Sequence, residues 1–151
     1  MKYDVIGSCG HKYTVQLFGK NSNREYWLER LTGEPCDECK KVAQEQARAK
    51  ENEEAANWAV ENNMPALKGT EKQVAWAETL RRSLYKYMQA LGEKVKPDFK
   101  EIYENFLSDT FSNQEAKWYI EHREWCDDKY PDLSKHNIKE AFFMYKSQNS
   151  N

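Results

Sequence analysis

No stretch of the chain stays apolar for long enough to cross a bilayer, and Met1-Lys2-Tyr3-Asp4 opens no run of the kind a secretory leader needs. The sequence is therefore read as cytoplasmic, with no membrane partner. Excess positive charge is missing as well: 23 Lys and Arg stand against 25 Asp and Glu, so no bulk field attracts a phosphate backbone. General nucleic-acid binding falls behind protein binding on that ground. Absent too are a glycine-rich phosphate loop, a G-x-S-x-G elbow and an H-E-x-x-H pair. Neither His122 nor His136 has a neighbour in sequence that would make it a general base. The chain is read as a non-enzyme.

Cysteine is scarce but unevenly placed. Of four cysteines, three lie near the start and Cys126 stands apart, which suits a metal and a spare thiol better than two disulfides. Cys9-Gly10-His11 is a chelating pair because the glycine lets both side chains turn toward one ion, and Cys36-Asp37-Glu38-Cys39 has the spacing of a zinc half-site. Brought together, Cys9, His11, Cys36 and Cys39 make the closed tetrahedral shell of a structural Zn²⁺. For the fourth place, Asp37 or Cys126 stands as an alternative to His11. A shell made wholly of protein ligands supplies folding energy and leaves no position for substrate.

What is abundant is charge and aromatic surface. Charged residues make up 32% and aromatics 13%, so the low mean hydropathy reflects polar helix faces and not a chain too poor in aromatics to fold. Tyr3–Ile6 and Tyr13–Phe18 read as a short hairpin bounded by glycines. Residues 24–31 fit either a strand or a helix, because Tyr26, Trp27, Leu28 and Leu31 satisfy both periods. From Lys40 to Asn63 there is no Pro or Gly, which predicts a long helix; with little but alanine between Val42 and Trp58, it reads as a largely solvated arm. Thr70 and Gln73 form a capping box ahead of the stripe Val74, Ala77, Leu80, Leu84, Met88 and Leu91. Three further helices are predicted, begun by Asp98, by a second capping box of Ser112 with Glu115, and by Ser134. The expected fold is α+β, mostly α: a zinc-ribbon-like module over 1–40, a polar helical arm over 41–65, a helical bundle over 66–147 and a frayed tail over 148–151.

The charges are not evenly laid out. From Glu93 to Asp132 there are eleven acids against six bases, whereas Ala66 to Leu91 carries Lys68, Lys72, Arg81, Arg82 and Lys86 against Glu71 and Glu78. An acidic bundle face suits a partner with a basic groove, and its candidate contacts are Glu101, Glu104, Asp109, Asp127 and Asp128. Trp76, Trp118 and Trp125 sit at core-like spacing, while Trp27 and Trp58, in more polar surroundings, are the tryptophans expected at an interface.

Ser8-Cys9-Gly10-His11, Val15-Gln16-Leu17-Phe18-Gly19, Cys36-x-x-Cys39 and Leu67-Lys68-Gly69-Thr70-Glu71-Lys72-Gln73-Val74-Ala75-Trp76-Ala77-Glu78 together resemble small zinc-ribbon proteins of phages and bacterial mobile elements, over roughly the first 90 residues. The resemblance implies metal ligation by Cys9, His11, Cys36 and Cys39 in the cytoplasm of a bacterial host cell, and brings no activity. In general character the chain looks like a metal-containing anti-CRISPR protein that binds a type II effector nuclease and blocks target DNA. The alternative is a zinc-ribbon nucleic-acid-binding regulator using Lys12, Lys20, Arg24, Lys40 and Lys41.

Overall fold

A computed structural model describes residues 1–127 and 129–150, which leaves the candidate contact Asp128 outside the described residues. The chain divides into two compact units, Met1–Lys50 and Glu51–Asn151. Among the described residues no helix is long and apolar enough to cross a membrane.

The first unit opens with an antiparallel hairpin, β1 (Lys2–Ile6) on β2 (Lys12–Gln16), with Val5 opposite Tyr13 and Tyr3 opposite Val15. Strict alternation places these four side chains on one face. On the other face Lys12 pairs with Asp4 at 3.0 Å, and the Thr14 hydroxyl donates to the Asp4 carboxylate. Helix α1 (Asn21–Gly33) settles the ambiguous segment. Its half-buried residues are Arg24, Leu28 and Leu31, an i, i+4, i+7 stripe, and they leave Tyr26 and Trp27 in solvent. The Tyr13 hydroxyl donates to the Leu31 carbonyl and ties hairpin to helix.

Helix α2 (Asp37–Glu61) starts three residues before the expected position, so Cys39 belongs to its first turn. Asp37 and Glu38 in that turn complement the positive helix end. Residues 41–50 are exposed throughout, as expected of an arm. From Glu51 onward the alanine stripe does more than expected, since Ala55 and Ala59 are buried and Trp58 packs on Tyr85 with ring centroids 5.2 Å apart. Asn52 accepts a hydrogen bond from Thr79, and Glu54 lies 3.7 Å from Arg82.

The second unit is built on α3 (Glu71–Gly92), which starts with the expected capping box, the Gln73 amide donating to the Thr70 hydroxyl at 3.3 Å and the Thr70 amide to the Gln73 side chain at 3.1 Å. Its inner stripe of Ala77, Leu84, Met88 and Leu91 meets Tyr103, Phe106 and Phe111 of α4 (Lys100–Phe111), Ala116 and Tyr119 of α5 (Ala116–Glu121), Cys126, and Ile138 of α6 (Pro131–Asn149). Phe142 closes this core edge-on to Tyr103, with centroids 4.9 Å apart.

Three expected helix starts differ. Asp98 lies inside a 3-10 turn, Pro97–Phe99, that precedes α4. Ser112 ends α4, its amide donating to Ser108 and its hydroxyl to the Asp109 carbonyl, while the Glu115 amide that it was expected to cap donates to the Asn113 side chain instead. Helix α6 begins at Pro131, and Ser134 is fully buried within it, its hydroxyl oxygen accepting from the Asp127 amide and donating to the Glu124 carbonyl. That helix runs on to Asn149, two residues past the expected end of the bundle. Trp76 is 48% exposed, against its expected place in the core; Trp118 and Trp125 pack at the core's margin.

Candidate metal centre

Two knuckles meet in the first unit. The first is the bend between the strands: the Gly7 amide donates to the His11 carbonyl, the Gly10 amide to the Gly7 carbonyl, and Gly10 has φ +79°, in the left-handed region that glycine enters without strain. The second lies where α1 gives way to α2, with Cys36 just before the helix and Cys39 inside its first turn. They are sewn together by the Ser8 amide, which donates to the Glu34 carbonyl at 3.0 Å, and by the Cys36 amide, which donates to Cys9 Sγ at 3.2 Å. Glu34 is held in turn by Arg30 and Lys40 at 2.9 and 2.6 Å. Those two cations, Lys40 foremost, keep its carboxyl down at about 2.

The ligand atoms of Cys9, His11, Cys36 and Cys39 all lie within 4.8 Å of one another. His11 Nδ1 is 3.7 Å from Cys36 Sγ and 3.2 Å from Cys39 Sγ. Zinc–sulfur and zinc–nitrogen bonds of about 2.3 and 2.0 Å set tetrahedral edges of about 3.4–3.8 Å, so the cluster is close to the size an ion requires. Cys36 is buried, Cys9 and Cys39 are half-buried, and His11 faces solvent. Of the two alternative ligands, Asp37 projects into solvent with its carboxylate 4.0 Å from Lys40, and Cys126 is buried in the second unit's core with its Sγ 3.3 Å from the Arg123 carbonyl. No disulfide joins any of the four cysteines.

Proton chemistry at the cluster points the same way. Backbone N–H groups, that of Cys36 above all, bring Cys9 down to about 6, whereas the neighbouring Cys36 thiol and burial push Cys39 up to about 11. Thiols this close cannot all shed their protons without a cation between them. A metal ion resolves the conflict by taking the place of the protons.

Gly7 sets how closely the knuckles approach. A Cβ there would stand 2.8 Å from the Glu34 carbonyl oxygen, 3.2 Å from the Cys36 nitrogen and 3.4 Å from Cys9 Sγ. Gly7→Ala is expected to force the knuckles apart and weaken metal binding by about tenfold or more, the range seen when groups supporting metal ligands are disturbed. Competition with a chromophoric chelator measures this, and an unchanged dissociation constant would count against the assignment.

The candidate contact residues are scattered. On α1 Trp27 is 45% exposed, with the Arg30 guanidinium 5.4 Å from its ring centroid. Trp58 is half-buried against Tyr85. Glu101, Glu104 and Asp109 are exposed on α4, where Asp109 accepts a 2.5 Å hydrogen bond from Tyr145. Asp127, half-buried, caps the loop before α6 by accepting from the Lys129 amide. His122 stacks on Trp118 at 4.1 Å with Nδ1 against the Trp118 carbonyl, and His136 pairs with Glu140.

Sequence reasoning missed the role of Arg81 and Glu78, which it counted as surface charge. Arg81 is fully buried and Glu78 nearly so, with the guanidinium bridging both carboxylate oxygens at 2.6–2.7 Å and donating to the Pro65 carbonyl at 2.7 Å. The signal was available: Arg81 falls between Ala77 and Leu84 on the apolar stripe of α3.

Set against protein-family models, curated proteins and solved structures, the chain matches none.

Proposed function

We propose that the chain is a zinc-stabilised, non-enzymatic protein-binding inhibitor in which Cys9, His11, Cys36 and Cys39 hold a structural Zn²⁺. The observation that carries the reading is the mutual closeness of three sulfur atoms and one imidazole nitrogen in a unit whose only buried described side chains are Val5 and Cys36. Bound there, zinc would supply cross-linking, and the shell would have no vacancy for a reacting group.

The partner is a larger host protein, and in its narrowest form the reading is a phage-borne inhibitor seated on a type II effector nuclease, where it excludes target DNA. Outward-facing carboxylates such as Glu101 and Glu104 suit the basic channel of such a protein. The competing reading, a nucleic-acid-binding regulator, is weakened because the basic residues it needs are partly neutralised, Lys12 by Asp4 and Lys40 by Glu34.

Adding the zinc-loaded chain to a guide-loaded effector and measuring retention of target DNA tests this directly. We expect stoichiometric loss of DNA binding, relieved at least about tenfold by Glu101→Lys combined with Glu104→Lys. Direct retardation of DNA by the chain alone at low salt, disappearing as salt rises, would favour the regulator instead.

A further inference from the structure

Val60, Trp76 and Phe99 are exposed singly in the second unit, but its other exposed large apolar side chains lie together on or beside one helix. Leu133 is 48%, Phe143 65% and Met144 62% exposed, all on α6, and Tyr130 immediately before it is 61% exposed. The opposite side of that helix is committed to the core through Ser134, Ile138 and Phe142. At about 100° per residue, Leu133, His136, Glu140, Phe143 and Met144 fall on a second, outward stripe. All of these but Leu133 line a shallow groove together with Lys139. A helix with one apolar stripe in a core and another in water has a face without a partner.

The charges on this face say what fits it. Lys139 and Glu140 are adjacent at its midpoint and exposed, and Glu140 lies 3.3 Å from His136 Nε2. Toward the C-terminal end the Lys146 ammonium sits 4.3 Å from the Phe99 ring centroid and 5.5 Å from that of Phe143. Near the N-terminal end the Asp132 side chain is fully exposed, with its carboxylate 3.9 Å from Lys135. A plus-minus pair at the centre of a helix is complementary to itself when a second copy runs the opposite way, and repulsive when it runs the same way.

We propose that the outward face of α6 joins two copies of this chain as an antiparallel helix pair, with the two-fold axis between Lys139 and Glu140. Each Lys139 then faces the other copy's Glu140, each Phe143 meets the other His136, and each Leu133 lies along the stem of the other Lys146. The helix dipoles oppose one another in the same arrangement. A strip about 28 Å long and 10 Å wide is smaller than the roughly 800 Å² per partner of a standard interface, so the dimer is a weak, reversible one. The inference is independent of the zinc reading, since it uses no residue of the first unit.

Sedimentation equilibrium of the full chain with zinc, from about 1 to about 500 µM, reads it out. The weight-average mass should rise from one chain toward two. Phe143→Asp should weaken association about tenfold or more, the cost of a charge in an apolar contact. Glu140→Lys should weaken it too, and the double variant Lys139→Glu with Glu140→Lys should restore it. All of these side chains are in solvent, so circular dichroism should show unchanged helix content. A mass that stays at one chain throughout, an association indifferent to Phe143→Asp, or a charge swap that fails to rescue would each overturn the proposal.

Discussion

Cys36→Ser is expected to lose zinc and unfold residues 1–50 while the helices from α3 onward keep their structure. The reason lies in how little the first unit hides. Among its described side chains only Val5 and Cys36 are buried, at 2% and 7% exposure, and α1 buries none. Two small buried side chains, even with the half-buried stripe around them, make a core too small to hold the unit by itself. Structural zinc contributes about 10–16 kcal/mol in small metal-folded modules, more than any other single interaction there can supply. Hydrogen exchange resolved by residue gives the measurement. Amides of Val5 and Val15 should lose protection in Cys36→Ser, or in the wild-type chain with a strong chelator, while those of Leu84 and Met88 keep theirs. Protection of the hairpin that survives complete removal of metal would refute a structural role.

The second large effect is expected at Arg81. Its guanidinium sits in the core of the second unit, satisfied by Glu78 and by the Pro65 carbonyl, with the Tyr119 ring 6.0 Å away. Arg81→Ala leaves the Glu78 carboxylate buried without its counter-ion and opens a cavity, so the loss should be about 3–5 kcal/mol. For a domain of this size that is a fall in melting temperature of more than about 12 °C. Replacing both partners, Arg81→Met with Glu78→Leu, should recover much of it, because two apolar side chains leave no charge stranded. Thermal melts of the two single variants and the double close the cycle. If Arg81→Ala melted within about 1 kcal/mol of the parent chain, the pair would have to be solvated and not buried.

Short-range patterns were legible in the sequence and long-range ones were not. The four ligands could be named from C-x-H and C-x-x-C because both spacings are local chelating geometry, and the fold brings those same four together. The capping box at Thr70 was readable for the same reason. Ser112 and Ser134 misled because a Ser-x-x-Glu spacing or a lone serine says nothing about which backbone groups are already bonded; Asn113 had taken the Glu115 amide, and the loop before α6 had claimed the Ser134 hydroxyl. Residues 24–31 could not be assigned from period alone; as a helix they half-bury Arg24, Leu28 and Leu31 on one side and bring the Leu31 carbonyl to the Tyr13 hydroxyl. Arg81 was counted only as one cation among the charges of residues 66–91, although its place on the apolar stripe between Ala77 and Leu84, one turn from Glu78, marked it for the core.

The scarcity of fully buried side chains in the first fifty residues also fixes how that part responds to its surroundings. Heat-capacity change and sensitivity to urea both scale with the surface released on unfolding, so each should be small there. Cooling and denaturant, which act through hydration, therefore have little grip on the hairpin and its helix. Acid has a strong one, because protons compete for the same sulfur and nitrogen lone pairs that the ion uses.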